Sequence, residues 1–218
     1  MGLSFTLIIV IITCLVSIGG FNNQNIINDL IFYPPSISKR NQWYRFFSSG
    51  LIHADAGHLI FNMFSLYLFG RFVEEKFIEI FHDKGRIFYL LMYVLALAFS
   101  LLPTYFKNRN NYHYRSLGAS GAVSAVIFAG LLTAPYVEVG FFFIPPFIPG
   151  FIFAPLYLIV SVILERRGKD NVNHSAHIWG ALFGLAFVII AGKLVAQYDA
   201  ITECINGVKL YMRVKGWM

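Results

Sequence analysis

The sequence predicts an all-α, polytopic membrane protein with six transmembrane helices. Of its 218 residues, 57% are hydrophobic and only 13% are charged, which leaves too little polar surface for a soluble globule of this size. The apolar residues fall into runs bounded by charged residues, Gly and Pro, as bilayer-crossing helices are. We therefore expect one membrane-embedded domain followed by a polar tail.

Six apolar runs are candidate membrane spans. They cover approximately residues 3–18, 58–73, 87–106, 117–134, 151–164 and 174–196. The first run has no basic residue before it and no small-residue cleavage pattern after it, which favours an anchor helix over a signal peptide. The fifth follows two Pro-containing breakers and tolerates Pro155 in its first turns. Residues 197–218 form a polar tail that could lie along a membrane surface.

The first two connections between these runs differ in character. Residues 19–57 carry a cluster of aromatic side chains around Arg45, which are Trp43, Tyr44, Phe46 and Phe47. Such a segment suits the headgroup layer of a membrane. The segment from Glu74 to Arg86 mixes acidic and basic residues, as a solvated loop does. We therefore expect an interfacial first connection and a solvated second connection.

The net charge of +6 does not indicate nucleic acid as a partner. The 17 Lys and Arg residues lie in or beside the connections, where they meet lipid headgroups. Cys14 and Cys204 lie near opposite ends of the chain, with no Cys-x-x-Cys spacing, and so predict neither a disulfide framework nor a zinc site. The expected partner at this stage is the lipid bilayer, and the sequence predicts no oligomeric state.

Ser120 and His177 stand near the start of runs that are otherwise apolar. An ionisable side chain within a bilayer is costly and is a site hypothesis by default. If all six runs cross, the second, fourth and sixth helices run in the same direction and begin on the same side. His58, Asn62, Ser120 and His177 all fall within roughly the first two turns of these helices, and a turn rises about 5.4 Å. These four polar side chains are therefore predicted to share one depth.

Small residues favour a close contact between the fourth and sixth helices. The fourth run offers Gly118, Gly121, Ala125 and Ala129. The sixth places Gly180 and Gly184 on the same stripe as His177. Because small residues let helix backbones approach closely, this packing is expected to bring Ser120 within reach of His177.

The four polar residues are suited to nucleophilic catalysis. A serine hydroxyl is a weak nucleophile until a base takes its proton, and an apolar site favours the neutral form of His177 that can do so. The backbone N–H groups at a helix start suit a developing oxyanion, to which His58 and Asn62 could add donors. Asp55, the nearest acidic candidate, lies outside the second helix. We therefore predict a dyad of Ser120 and His177 rather than a triad.

Plainer interpretations of these residues stay open at this point. Gly-x-Ser-Gly is often a packing motif in membrane helices, as Ser124 illustrates, and an intramembrane His can simply bond a backbone carbonyl or a water. The connection residues His53, His82 and His113 are assigned no specific role. A small transporter would also place polar groups within helices, although a repeat between its halves would then be expected.

A metal site is a further alternative. His53, Asp55 and His58, or His174 with His177, resemble clusters of metal ligands. However, the chain has no His-Glu-x-x-His motif, and no thiolate supports zinc. Neither a metal nor a cofactor is therefore expected.

Four motifs occur in order between about residues 43 and 192. They are Arg45 followed by Gly50-Leu51-Ile52-His53, His58-x-x-x-Asn62, Gly118-x-Ser120-Gly121, and Ala176-His177-x-x-Gly180-x-x-x-Gly184. Each motif is weak alone, but together they resemble the rhomboid family of intramembrane serine proteases. One position departs from the family pattern, because Tyr44 stands directly before Arg45 where the family typically has Trp.

The resemblance implies a six-helix rhomboid-like bundle that acts as a serine endopeptidase. Ser120 would be the nucleophile, His177 the general base, and the oxyanion would be held by the Ser120 N–H with the side chains of His58 and Asn62. The substrate would be the transmembrane segment of another protein, admitted by a gate formed by the fifth helix and residues 165–173. A catalytically silent rhomboid-like protein that binds membrane helices is the alternative, although such proteins usually lack the serine or the histidine.

The orientation in the membrane also follows from the resemblance. It places the amino terminus in the cytoplasm and the active site toward the extracytoplasmic side of a bacterial inner membrane or an equivalent one. This arrangement puts nine Lys and Arg residues outside and eight inside. The positive-inside rule therefore does not decide the orientation.

Overall fold

The computed structural model describes residues 4–141, 144–168 and 172–218. These residues form eleven α-helices and one short two-stranded sheet. In chain order the elements are α1 (Phe5–Phe21), α2 (Gln24–Leu30), α3 (Pro34–Arg40), α4 (Arg45–Ser48), α5 (Ala56–Phe81), α6 (Gly85–Phe99), α7 (Leu102–Asn108), α8 (Ser120–Thr133), β1 (Glu138–Phe141), β2 (Ile144–Pro149), α9 (Gly150–Arg167), α10 (His174–Ala196) and α11 (Ala200–Val214). Residue 3 of the first predicted span and residues 169–171 of the predicted gate lie outside the described residues.

Two helical stretches of the described chain are long and apolar enough to cross a membrane. One is Ala56–Asn108, which comprises α5, α6 and α7, and the other is α10. Helices α1 and α8 are apolar but shorter. The crossing of six helices therefore stays a prediction.

Helix α8 lies at the centre of the bundle, packed against α5, α6 and α10. Its residues from Gly121 to Leu131 are buried almost without interruption. A helix that is surrounded in this way is apolar on every side instead of amphipathic. The first turn of α8 therefore lies inside the protein instead of on its outer surface.

The backbones of α8 and α10 touch. A Cβ atom on Gly180 would overlap the carbonyl oxygen of Gly121, and a Cβ on Gly184 would overlap that of Ala125. This approach is possible only because neither glycine carries a side chain. The contact places the first turns of the two helices side by side.

Helix α5 is longer than the second apolar run, and the expectation of a solvated loop from Glu74 is wrong. Glu74 is 4% exposed and belongs to α5, which continues to Phe81. Its carboxylate accepts four hydrogen bonds of 2.5–3.1 Å from the first turn of α1, donated by Ser4 Oγ, Phe5 N, Thr6 N and Thr6 Oγ1. A carboxylate at a helix N-terminus satisfies unpaired N–H groups and the helix dipole. This charge therefore joins α1 to α5 inside the protein.

The other helices also differ from the apolar runs at their ends. The third run is interrupted after Phe99, and α7 starts at Leu102 with a proline in its first turn. Helix α8 starts at Ser120, three residues later than the fourth run, whereas α10 has the bounds of the sixth run.

The structure contains two features that the sequence did not predict, a pair of β-strands and a helix in the tail. A short antiparallel ribbon joins α8 to α9, with Glu138 opposite Pro149 and Val139 opposite Ile148. The predicted polar tail contains the helix α11. Its Tyr211 hydroxyl donates a 2.8 Å hydrogen bond to Glu138 in the ribbon, and Lys215 Nζ lies 3.0 Å from the same carboxylate. The tail is therefore docked beneath the end of α8.

Candidate active site

Ser120 and His177 are in hydrogen-bond contact. Nε2 of His177 lies 2.7 Å from Oγ of Ser120, although the two residues are 57 positions apart in the chain. Ser120 is the first residue of α8, and His177 is the fourth residue of α10. The contact of Gly121 with Gly180, one residue beyond Ser120 and one turn beyond His177, holds the two helix ends at this separation.

The start of α8 gives Ser120 a favourable electrostatic environment. The first four N–H groups of a helix have no acceptor within it, and they lie at the positive end of the helix dipole. Ala119, the N-cap residue, supplies no side-chain acceptor for them. The backbone N–H of Ser120 is therefore available to a negative charge that develops close to its own Oγ.

The loop before α8 is tied to the first connection by its backbone. Ser116 and Phe32 exchange two backbone hydrogen bonds of 3.0 and 3.1 Å. The N–H of Gly118 donates to the carbonyl of Ser49 at 2.9 Å. The path of the chain into Ser120 is therefore set by a segment that lies far earlier in the sequence.

Arg45 holds the part of the first connection that makes these bonds. Its side chain is buried, and Nη1 donates to the carbonyls of Asn28 and Ile31 at 2.9 and 2.8 Å. Ile31 is the C-cap of α2 and directly precedes Phe32. The arginine thus fixes Phe32, the residue with which Ser116 pairs, and its own hydrogen bonds do not reach Ser120 or His177.

Gly118 has a different role from the predicted helix packing. It precedes α8 and has φ of +112°, a conformation that residues with a Cβ rarely adopt. A Cβ here would lie 2.7 Å from Cε1 and 3.0 Å from Nε2 of His58. Glycine is therefore needed because the imidazole of His58 lies directly against this loop.

His58 and Asn62 both project from the first two turns of α5, at the same end of the bundle as Ser120. Asn62 is 3% exposed, and its Nδ2 donates to the carbonyl of His58 at 2.9 Å. Asp55 is the N-cap of α5, where its Oδ1 accepts from the N–H of His58 at 2.8 Å. The nearest acidic candidate is thus engaged in starting this helix.

Asn173 is a site neighbour that the sequence motifs do not single out. It is the N-cap of α10, and its Oδ1 accepts from Ala176 N at 3.0 Å and from Thr104 Oγ1 at 3.2 Å. Its Nδ2 is buried and has no hydrogen-bond partner, as is also true of Ser49 Oγ, among the described residues. Both residues line a small cleft that reaches Ser120. This cleft offers unused polar atoms beside Ser120, where a water could be held.

His53 is a second residue whose importance the sequence reasoning missed. It was assigned no role as a connection residue, but it is fully buried and packs edge to face against His58, with 4.9 Å between ring centroids. Its Nε2 accepts a 3.4 Å hydrogen bond from the N–H of Ala119. The signal was its place at the end of Gly50-Leu51-Ile52-His53, within the first of the four motifs that carry the family resemblance.

Comparison with known proteins agrees with this architecture. The family model of the Rhomboid domain matches residues 40–194, which include the contact of Ser120 with His177 and the loop that precedes it. The chain belongs to the rhomboid family, a family of integral membrane proteins that includes serine proteases.

Individual relatives include both bacterial and organellar proteins. The chain is 26% identical over 173 residues to the rhomboid protease GlpG of Haemophilus influenzae, covering 76% of this chain and 78% of GlpG. It is 25% identical over 177 residues to the rhomboid protease AarA of Providencia stuartii, covering 72% and 60%. It is 28% identical over 173 residues to the mitochondrial RHOMBOID-like protein 12 of Arabidopsis thaliana, covering 74% and 50%. The chain spans about half the length of the Arabidopsis relatives it matches.

Proposed function

We propose that this chain is an intramembrane serine protease that hydrolyses a peptide bond in or near the transmembrane segment of a membrane-protein substrate. The observation that carries the proposal is the 2.7 Å contact between Ser120 Oγ and His177 Nε2 in a member of the rhomboid family. A hydroxyl paired with an imidazole at this distance is the arrangement that activates serine as a nucleophile.

In the proposed mechanism His177 acts as the general base. Its Nε2 takes the proton of Ser120 as Oγ attacks the scissile carbonyl, and it then gives that proton to the leaving amine. A water repeats the sequence on the acyl-enzyme and frees the serine. The proposal assigns no carboxylate to this reaction, since Asp55 is used as the N-cap of α5. It also requires no metal or cofactor.

The proposed oxyanion hole combines the backbone N–H of Ser120 with the side chains of His58 and Asn62. The contact of the His58 ring with Gly118, two residues before the nucleophile, supports this placement. An asparagine amide has two N–H donors, and one of those of Asn62 is used by the carbonyl of His58. The second is left for a substrate oxygen.

The proposed topology has six crossings, made by α1, α5, α6, α8, α9 and α10. The starts of α5, α8 and α10 then lie on one side, which we assign to the extracytoplasmic face of a bacterial inner membrane or an equivalent membrane. The contact of Glu74, in the last part of α5, with Ser4 at the start of α1 supports antiparallel crossing of these two helices.

Helix α9 is the proposed gate for substrates. Within its described residues only Gly150 and Ser161 are buried, whereas Leu156, Ile159 and Val160 are 49–56% exposed. A loosely packed apolar helix beside the reactive pair is a suitable place for a substrate helix to approach from the lipid. The proposed partners are therefore transmembrane protein substrates and the surrounding lipid.

A fluorophosphonate probe, which reacts with activated serines, tests the proposal. The unaltered protein is expected to be labelled, and Ser120→Ala is expected to lose labelling completely. Ser124→Ala is the matched control, because Ser124 lies one turn later in the same helix and bonds Tyr157 instead of His177. It should be labelled normally. In proteoliposomes containing a membrane-anchored reporter, His177→Ala is expected to reduce cleavage at least about 10³-fold.

The outcomes separate the proposed protease from its alternative. A folded protein that is never labelled and never cleaves would be a silent rhomboid-like protein that only binds membrane helices. Labelling that persists in Ser120→Ala would remove Ser120 from the mechanism.

A further inference from the structure

The imidazole of His53 bridges α1 and the loop that leads to Ser120. Nδ1 lies 3.0 Å from Oγ of Ser17 in α1, and Nε2 accepts from the N–H of Ala119 at 3.4 Å. Ser17, His53 and Ala119 are each fully buried. The ring is therefore held at both nitrogens in a place closed to solvent.

The hydrogen bonds determine which nitrogen of His53 carries the proton. The hydroxyl of Ser17 donates its only proton to the carbonyl of Leu51 at 2.9 Å. Its contact with Nδ1 must then be a bond that the histidine donates. Nδ1 is therefore protonated, and Nε2 keeps the lone pair that accepts from Ala119. An imidazolium, or the opposite tautomer, would set two donors or two acceptors against each other.

The surroundings of the ring favour its neutral form. Burial, together with the neighbouring His58, lowers the pKa of His53 to about 3, against a smaller opposing effect of Asp55. The tautomer set by the hydrogen bonds thus persists across the pH range in which proteins usually work.

The peptide group that His53 holds joins Gly118 to Ala119, directly before the one that joins Ala119 to Ser120. Gly118 N is fixed by the carbonyl of Ser49, and the carbonyl of Ala119 accepts the first helical bond of α8 from Val123 N at 3.0 Å. The bond from Ala119 N to His53 fixes the peptide unit between these two, so that three successive units are held. The direction of the Ser120 N–H and Oγ follows from it, and catalytic groups must be held within roughly 0.5 Å of their working positions.

We propose that His53 is a positioning residue, which as a neutral imidazole protonated at Nδ1 links Ser17 of α1 to the Ala119 N–H and so orients Ser120. It touches neither substrate nor reacting atoms and acts through the loop. This role rests on the proposed protease function. It also makes α1, which supplies none of the reactive groups, part of the support of the site.

Two substitutions at His53 separate positioning from simple packing. His53→Leu fills similar space without an acceptor, whereas His53→Gln keeps an oxygen that can accept from Ala119 N. We expect His53→Leu to lower kcat for reporter cleavage by about ten- to a hundredfold, as misplacement of a reacting group does, with KM little changed. His53→Gln should recover most of kcat, although both variants lower the unfolding temperature. Equal kcat in the two variants, or kcat losses that simply follow the unfolding temperatures, would contradict the proposal.

The nitrogen-15 spectrum of histidine-labelled protein tests the tautomer without any activity. The His53 signals, assigned by their loss in His53→Gln, should show a protonated Nδ1 and an unprotonated Nε2 near neutral pH. Ser17→Ala should shift these signals, and Ser4→Ala, at the far end of α1, should leave them in place. A protonated Nε2 would overturn the inference while leaving the protease assignment intact. A wild-type protein that shows the expected tautomer but neither cleaves nor reacts with the probe would instead overturn the proposed function.

Discussion

Gly118 carries two constraints at once, a positive φ and the ring of His58 against its Cα. We expect Gly118→Ala to lower the free energy of unfolding by about 1–3 kcal/mol from backbone strain alone, and to abolish labelling of Ser120 because His58 must move. Chemical unfolding in detergent micelles and probe labelling measure the two effects.

Gly216→Ala is the control for the effect of positive φ alone. Gly216 has φ of +70°, with no atom within 4 Å of a Cβ built there. This variant should show a smaller loss of stability and full labelling. If both alanine variants label equally well, the contact of Gly118 with His58 does not matter for the site.

The residues of the candidate site differ in how far the sequence alone identifies them. Ser120 and His177 are conspicuous because polar side chains are costly in apolar runs, and the shared direction of alternate helices places them at one depth. His53 ends one of the family motifs and Asn173 belongs to none, but neither position indicates what the residue does. Their roles depend on bonds to Ala119 and Thr104, which are 66 and 69 positions away in the chain, and no local pattern reveals such partners.

At the scale of the elements, the hydrogen bonds described above that join α1 to α5 all end on one carboxylate, that of Glu74. Glu74→Gln replaces one oxygen by an NH₂ group that faces the N–H and hydroxyl donors of α1. We expect a loss of about 2–3 kcal/mol of unfolding free energy, as for a charged hydrogen-bonded group. Thermal unfolding measures it, and the exposed neighbour Glu75→Gln, which has no such contacts, should have almost no effect. Equal losses in both variants would show that net charge, and not the bond to α1, matters.

The joint between α8 and α10 depends on the absence of two side chains. Gly180→Ala drives a methyl group into the backbone of Gly121, so the helices must separate and Ser120 must move away from His177. We expect probe labelling to fall at least about a hundredfold, since such misplacement is costly. Gly192→Ala, later in the same helix, meets the ring of Tyr198 at 3.2 Å and its carbonyl oxygen at 3.3 Å, far from Ser120, and should keep most of the labelling. Normal labelling of Gly180→Ala would show that the close approach is dispensable.

The docking of α11 depends on charge and therefore on pH. Hydrogen bonds from Lys215 and Tyr211 hold the pKa of Glu138 below its usual value, and Glu138 raises the pKa of Lys215. The contribution of Glu138 is present above its unfolded-state pKa and is lost as pH falls through the lowered value. That of Lys215 is present below its unfolded-state pKa and is lost as pH rises through the raised value. The docking should thus be tightest around neutral pH.

Hydrogen exchange of residues 200–214, corrected for the intrinsic effect of pH, measures this docking. We expect protection of α11 to decrease toward both acid and alkaline pH and at high salt, which screens exposed charges. Glu138→Gln should remove most of the pH dependence, whereas Glu203→Gln, in the same helix, should retain it. A pH dependence that survives in Glu138→Gln would show that titratable groups other than Glu138 control the docking.

The sequence predicts an element and its ends where hydrophobicity determines them. It does not do so where contacts with distant residues determine them. The apolar run of α10 has the bounds of the helix because its one Lys or Arg residue, Lys193, falls in the last turn. The end of α5 was missed because Glu74 and the charged residues after it have the composition of a loop, and only the donors of α1 reveal the buried carboxylate. The helix α11 and the β-ribbon were missed because each is held by the other through Glu138 and Tyr211.

For the whole molecule, the proposed topology places the loop before α8 and the tail on opposite sides of the membrane. With Cys14 and Cys204 replaced by Ser, a cysteine at the exposed position Asn110 should react with an impermeant maleimide on intact spheroplasts. A cysteine at the exposed position Lys209 should react only after lysis. Equal labelling of both positions before lysis would contradict the proposed three crossings, by α8, α9 and α10, between them.

The assembly of the site from distant segments has a consequence for biosynthesis. Ser120 leaves the ribosome 57 residues before His177, its proposed base, and one residue after Ala119, which follows His53 by 66 residues. A nascent chain that has inserted only as far as α9 holds a serine with no partner to take its proton. Under the proposed mechanism the chain is therefore inert in the translocon, among the unfolded helices of other newly made proteins, until α10 has packed against α8.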